Sequence, residues 1–251
     1  MRQIPRIPLP TKALTFLADY QAKVDRGDDV QLTWDAARDR KGFTPVHQAL
    51  RRMAGGAERC MYCEDSLGSD VDHFWPKKGR PELGYPGYPE RAFRWDNLLL
   101  SCTPCGRAKG VRFPLDDQGR PLLVDPTAED PLAHFDFVPA TGELVAAWAP
   151  DGTRSTKGSR TIEVLQDVLN RQAVARRRRD AYDVQKEAVE EYLGGHRTSE
   201  SLLSTIGKHK DFGLAQWCFL GRGTTEEPFA TLARDHPGVW AEAQEVARVA
   251  T

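Results

Sequence analysis

Two Cys-x-x-Cys pairs, Cys60 with Cys63 and Cys102 with Cys105, are the residues whose types and spacing point most directly to chemistry. Each pair can present two thiolates from a tight turn, and four thiolates complete a tetrahedral shell around one Zn2+ with no open position. Such a shell holds structure in place. The competing use of the same spacing, a redox dithiol, predicts two pairs free of metal. Between the pairs lie Asp72 and His73, in Val71-Asp72-His73-Phe74-Trp75-Pro76-Lys77, and Asn97, in Trp95-Asp96-Asn97-Leu98-Leu99-Leu100. Hydrolysis of a phosphodiester needs a deprotonated water and stabilised charge on the phosphate and the leaving oxygen. His73, neutral near pH 7, is able to take the proton. Asp72 offers oxygen to a hard cation such as Mg2+ or Mn2+, which would make it the protein ligand of a catalytic divalent ion. The segment is locally basic, and Lys77, Lys78, Arg107 and Lys109 are placed to contact nucleic-acid phosphates.

These residues need elements to hold them. Thr11 to Val24 carries Leu14, Leu17, Tyr20 and Val24 at helical spacing, and Asp25 to Asp29 breaks the pattern. Thr44 and Pro45 open a second helix with Val46, Leu50 and Met53 on one face and Gly55-Gly56 as the stop. From Ala57 to Leu115 short apolar runs alternate with Gly, Pro and Cys, including the loop Gly79 to Pro89. Beyond it, Leu122-Leu123-Val124 and Gly142 to Ala146 read as strands of a small hairpin, and Asp151-Gly152 as a turn. Ser159 to Leu193 has helical spacing over one long helix or two joined near Asn170, ended by Gly194-Gly195. The rest reads as short helices. Arg176-Arg177-Arg178-Arg179 lies on the long helix, where four successive residues point in all directions and read as a solvated or partner-facing surface.

The expected fold is α+β: N-terminal helices over 1–56, a zinc module over 57–120, and a short hairpin with a mostly helical region over 121–251. With 251 residues the chain can bury a substantial core, so folding does not depend on zinc throughout. A formal net charge of -1 excludes a global basic field, and any nucleic-acid surface is local. Five cysteines, four of them in the two pairs, fit a reducing cytoplasm better than a cross-linked secreted domain. No apolar run approaches a membrane span. Cys218 has no partner and reads as a buried small residue.

In sequence, Cys60-Met61-Tyr62-Cys63-Glu64, Asp72-His73-Phe74-Trp75-Pro76-Lys77, Trp95 to Cys102, and Lys109-Gly110 through Phe113-Pro114-Leu115 form an ordered set of motifs. The set resembles the four-cysteine HNH, or ββα-metal, nucleases, and more narrowly the PtuB-like HNH subunit of Septu and retron anti-phage systems. The resemblance covers about Cys60 to Phe135, and His134 matches a position often His in that family. It implies endonucleolytic cleavage of DNA, with His73 as base, Asp72 on a catalytic Mg2+ or Mn2+, and Asn97 fixing the loop and the imidazole. It also implies a PtuA-type ATPase partner. One position departs from the pattern: such families commonly place an Asn, the second ligand to the catalytic ion, directly after the second Cys pair, where this chain has Gly106. Either Asp96 or a water substitutes, or activity is weak or absent. The rival reading is a non-catalytic zinc module that binds nucleic acid or bridges a complex.

Overall fold

A computed structural model describes residues 1–149 and 151–248. Three helices come first: α1 (Thr11–Asp25), α2 (Val30–Arg38) and α3 (Thr44–Ala54). On α1 the buried face is Ala13, Leu17 and Val24, while the expected Leu14 is exposed. Helix α2 carries a weak apolar signal, since its buried face is only Val30, Thr33, Trp34 and Ala37. Its start is nonetheless encoded, since Asp29 accepts hydrogen bonds from the Gln31 and Leu32 amides and caps the first turn. Helix α3 buries Val46, Leu50 and Met53 and ends at Gly55 with φ 85°.

The centre is an antiparallel pair, β1 (Asp70–His73) and β2 (Leu98–Ser101), followed at once by α4 (Thr103–Lys109). Asp72 faces Leu99 and His73 faces Leu98 across the pair. Because side chains alternate along a strand, Asp70 and Asp72 share one face of the hairpin and Val71 and His73 the other. Helix α4 packs against β1, and α3 against β2. The long loop joining the strands is closed by Trp75, Tyr88 and Phe113, whose rings lie 4.7–5.9 Å apart. Gly79 and Gly87 pass so closely that a Cβ on either would strike the other's backbone.

A second antiparallel pair joins β3 (Phe135–Val138) to β4 (Glu143–Ala146). The expected partner Leu122-Leu123-Val124 is not a strand. Leu123 and Val124 are buried, and the Val124 amide donates to Thr161 Oγ1, so their apolarity serves packing against the following helix. That stretch of helix is two elements, α5 (Thr156–Leu169) and α6 (Gln172–Leu193), separated at Asn170 and Arg171. Asn170 leaves the helical path to bridge the Leu144 amide and carbonyl. Four shorter helices follow: α7 (Ser199–Lys208), α8 (Leu214–Leu220), α9 (Phe229–Asp235) and α10 (Pro237–Arg248). The architecture is α+β, with N-terminal helices, a small sheet bearing the cysteines, and a mostly helical C-terminal region.

Apolar side chains gather into two cores. One runs from the N-terminal helices through the β1–β2 hairpin to α5, and the other joins Phe137 to α6 through α10. No helix among the described residues is long and apolar enough to cross a membrane. The arginine run is not uniformly solvated. Arg178 is wholly buried, while Arg176, Arg177 and Arg179 are exposed.

Candidate metal centre and the ββα hairpin

The four sulfurs of Cys60, Cys63, Cys102 and Cys105 lie within 4.8 Å of one another, all buried and none in a disulfide. Local structure explains the convergence. The first pair sits in a tight turn in which the Glu64 amide returns to Cys60 O at 2.9 Å and Glu64 takes φ 56°. The Met61 amide donates to Leu100 O at 2.9 Å, which pins this turn to β2. The second pair begins α4: Cys102 is the N-cap residue and Cys105 lies in the first turn, one helical turn away.

The donor set fits Zn2+. A tetrahedron with Zn–S of about 2.3 Å places sulfurs about 3.8 Å apart, and Cys63 and Cys102 are at 3.8 Å. Protons alone leave the four sulfurs in conflict. Hydrogen bonds from neighbouring thiols, Cys102 foremost, hold Cys63 far down, while burial pushes Cys60 up and the bond with Cys102 pushes Cys105 up. A central divalent cation removes that conflict by ionising all four.

His73 is 4 % exposed. Its Nε2 lies 2.9 Å from Ala92 O, and a carbonyl only accepts, so Nε2 carries the hydrogen and Nδ1 the lone pair. The ring meets Trp34 edge-on at 4.2 Å between centroids. Burial pushes its pKa well below the ordinary range, Lys77 and Lys109 push the same way, and the Ala92 carbonyl opposes them. The imidazole is therefore neutral at physiological pH.

Asp72, on the opposite face, is held by two residues. Tyr62 donates its hydroxyl to Oδ2 at 2.8 Å, and Lys109 Nζ lies 3.1 Å from the same oxygen. Lys109 is 1 % exposed and also donates to His73 O at 2.6 Å. This corrects the expectation that Lys109 contacts nucleic acid: its ammonium faces inward. Tyr62 was missed as a site residue, although its place inside the first Cys pair ties it to the hairpin. Asn97 is 2 % exposed; its Oδ1 accepts from the Trp75 amide at 2.7 Å, and its Nδ2 donates to Trp75 O and Arg91 O at 3.0 and 2.8 Å. It clamps both ends of the loop next to Ala92, whose carbonyl holds His73.

The other basic residues spread out. Lys77 is half-buried with its ammonium 5.6 Å from the Trp34 ring, Lys78 pairs with Asp29 at 3.7 Å, and Arg107 is exposed on α4. Beside β1, Trp34 and Val71 border an open cleft of about 570 Å3 that carries Arg38, Arg40, Lys41 and Arg51 together with Asp39 and Asp70. No motif signalled that cleft. His134 bonds Ser155 Oγ at 3.0 Å and Glu129 at 3.1 Å, far from the cysteines in role: it fixes the start of α5, which Ser155 caps.

A second, catalytic divalent ion does not fit the residues present. Oδ2 of Asp72 already faces Tyr62 and an ammonium, Gly106 carries no donor, and both oxygens of Asp96 are bonded by Arg94. Among the described residues, the four cysteines are the one converging group of three or more His, Cys, Asp or Glu ligand atoms.

The fold and the cysteines define a four-cysteine ββα zinc module within a larger helical chain. Two known proteins are similar to the chain. The chain is 29 % identical over 197 residues to the Septu protein PtuB of Bacillus mycoides (strain KBAB4), covering 70 % of this chain and 62 % of that protein. It is 28 % identical over 158 residues to the Septu protein PtuA of the same strain, covering 55 % of this chain and 21 % of that protein. The chain thus spans less than two thirds of the length of either relative. No family model matches it.

Proposed function

We propose that the chain is a zinc-organised ββα subunit that engages nucleic acid within a Septu-type anti-phage assembly. The observation that carries this reading is the β1–β2–α4 unit hung on four sulfurs, beside a cleft in which Arg38, Arg40, Lys41 and Arg51 outnumber Asp39 and Asp70. Zinc fixes the geometry, and Lys77, Lys78, Arg107 and the arginines of the cleft supply phosphate contacts. Residues 57–120 meet the nucleic acid, and 121–251 dock a partner. Similarity to a PtuA protein supports a companion of that type, which we read as an ATPase. A reducing cytoplasm suits the free thiols.

A second reading, HNH-type cleavage of DNA, is favoured by His73. Its tautomer is fixed by Ala92 and its neutral ring leaves a lone pair on Nδ1 able to take a proton, while the burial that lowers its pKa also weakens it as a base. Asn97 holds the loop that positions it. Against cleavage stand Gly106 and the pairing of Asp72, so binding or bridging without cleavage has the broader support.

One experiment separates the readings. Purified, zinc-loaded chain is titrated with DNA and RNA by fluorescence anisotropy and incubated with supercoiled plasmid in Mg2+ and in Mn2+. Salt-dependent binding without nicking is the expected result. Nicking that His73→Ala lowers by about 100-fold or more establishes cleavage in its place. Failure to bind or cut either nucleic acid, alone or with a PtuA-type protein, refutes both.

A further inference from the structure

We propose that the ammonium of Lys109 is the resident cation of the Asp72 site and that, together with Gly106, it excludes a divalent ion from the hairpin. The inference rests on the ββα reading of the module.

Geometry makes the two cations competitors. A Mg2+ ion on Asp72 Oδ2 would sit about 2.0–2.1 Å from that oxygen. Lys109 Nζ is 3.1 Å from the same oxygen, and the pair is largely shielded from water. A divalent charge beside an ammonium at such a separation, away from bulk water, is repelled strongly. The ammonium is not free to yield. Its stem is buried, it donates to His73 O at 2.6 Å, and leaving would take that donor from the carbonyl and the counter-charge from the Asp72 carboxylate. The second hold on Asp72, Tyr62, is 1 % exposed and equally fixed.

Helix α4 supplies no counterweight. Gly106 and Lys109 are three residues apart, so they lie on the same helix face, toward the strands. A Cβ at Gly106 would meet Ser101 Oγ at 3.4 Å and nothing else within contact distance. The Ser101 hydroxyl is buried and has no hydrogen-bond partner. A Cβ at position 106 therefore fits without displacing backbone, and Ser101 is a neighbour able to orient a polar group built on it. One substitution adds a donor there, and another removes the competing cation.

The test is ion binding, whereas the proposed function is tested by nucleic-acid binding and nicking, so either can fail alone. Zinc-loaded full-length chain is titrated with Mn2+ and bound ion is followed by electron paramagnetic resonance. The wild type is expected to show no Asp72-dependent site tighter than on the order of 1 mM. Gly106→Asn with Lys109→Met is expected to gain one site at least about tenfold tighter, lost again when Asp72→Asn is added. Lys109→Arg keeps the cation and gains none. A wild type that binds one Mn2+ below about 100 µM, with Asp72→Asn abolishing it, overturns the proposal without any Lys109 variant. So does a double variant that retains zinc and helicity yet gains no site.

Discussion

Replacing Arg178 by Met tests how α6 is held to the β3–β4 hairpin and to the end of α5. Arg178 is wholly buried, with Nη1 donating to Gly142 O at 2.6 Å and Nη2 to Leu169 O at 2.9 Å. Its guanidinium lies 5.6 Å from the Phe212 ring. Burial pushes its pKa down to about 10, and Glu64, Cys63 and Asp65 act in the opposite direction, so it is charged at neutral pH. Hydrogen bonds from a charged donor contribute about 1.5–3 kcal/mol each. Methionine keeps most of the apolar stem but leaves both carbonyls without their donor. The expected loss is about 3 kcal/mol, or a midpoint lowered by roughly 6–12 °C at 2–4 °C per kcal/mol. Arg176→Met, two residues away and exposed, should stay within about 0.5 kcal/mol of wild type. Urea and thermal unfolding with zinc in excess measure both. Equal midpoints for the two variants would refute the argument that burial, and not position in the arginine run, sets the cost.

Three further outcomes follow from single contacts. Asn97→Ala removes three hydrogen bonds that clamp the loop at Trp75 and Arg91, and should cost about 2 kcal/mol or more; unfolding by urea reads it. Gly142→Ala should destabilise strongly, because Gly142 has φ 77° and a Cβ there would strike the Ala175 carbonyl; thermal unfolding shows whether the close approach matters. Glu129 is pushed up by burial, but hydrogen bonds from His134 and Lys157 outweigh this and bring its pKa down to about 2. The unfolded state then binds the extra proton, so stability should fall as pH drops from about 4.5 to about 2, with no contribution to the slope above that window. Glu129→Gln should flatten the acid limb by one proton.

The cysteine spacing was legible because zinc chemistry fixes ligand type and separation, and both pairs converge as the spacing requires. Helices α1 and α3 and the break at Asn170 were legible from apolar periodicity and stop residues. Pairing was harder. Leu122-Leu123-Val124 is as apolar as a strand, and only tertiary contact reveals that β4 pairs with Phe135–Val138. Buried charge is invisible to pattern: Lys109 reads as a phosphate contact and Arg178 as part of a solvated or partner-facing surface, and their inward direction depends on the carbonyls and carboxylate that meet them. Adjacent Asp72 and His73 read as one site, whereas strand alternation sends them to opposite faces of the hairpin.

The central claim is that one zinc ion, bound by the two Cys pairs, holds the ββα unit. Zinc-edge X-ray absorption on the purified chain measures it, alongside metal content. The expected result is one zinc per chain with four sulfur neighbours at about 2.3 Å, lost together with the hairpin's order in Cys102→Ser. Folded protein without zinc, or a shell containing nitrogen or oxygen in place of a thiolate, would contradict it.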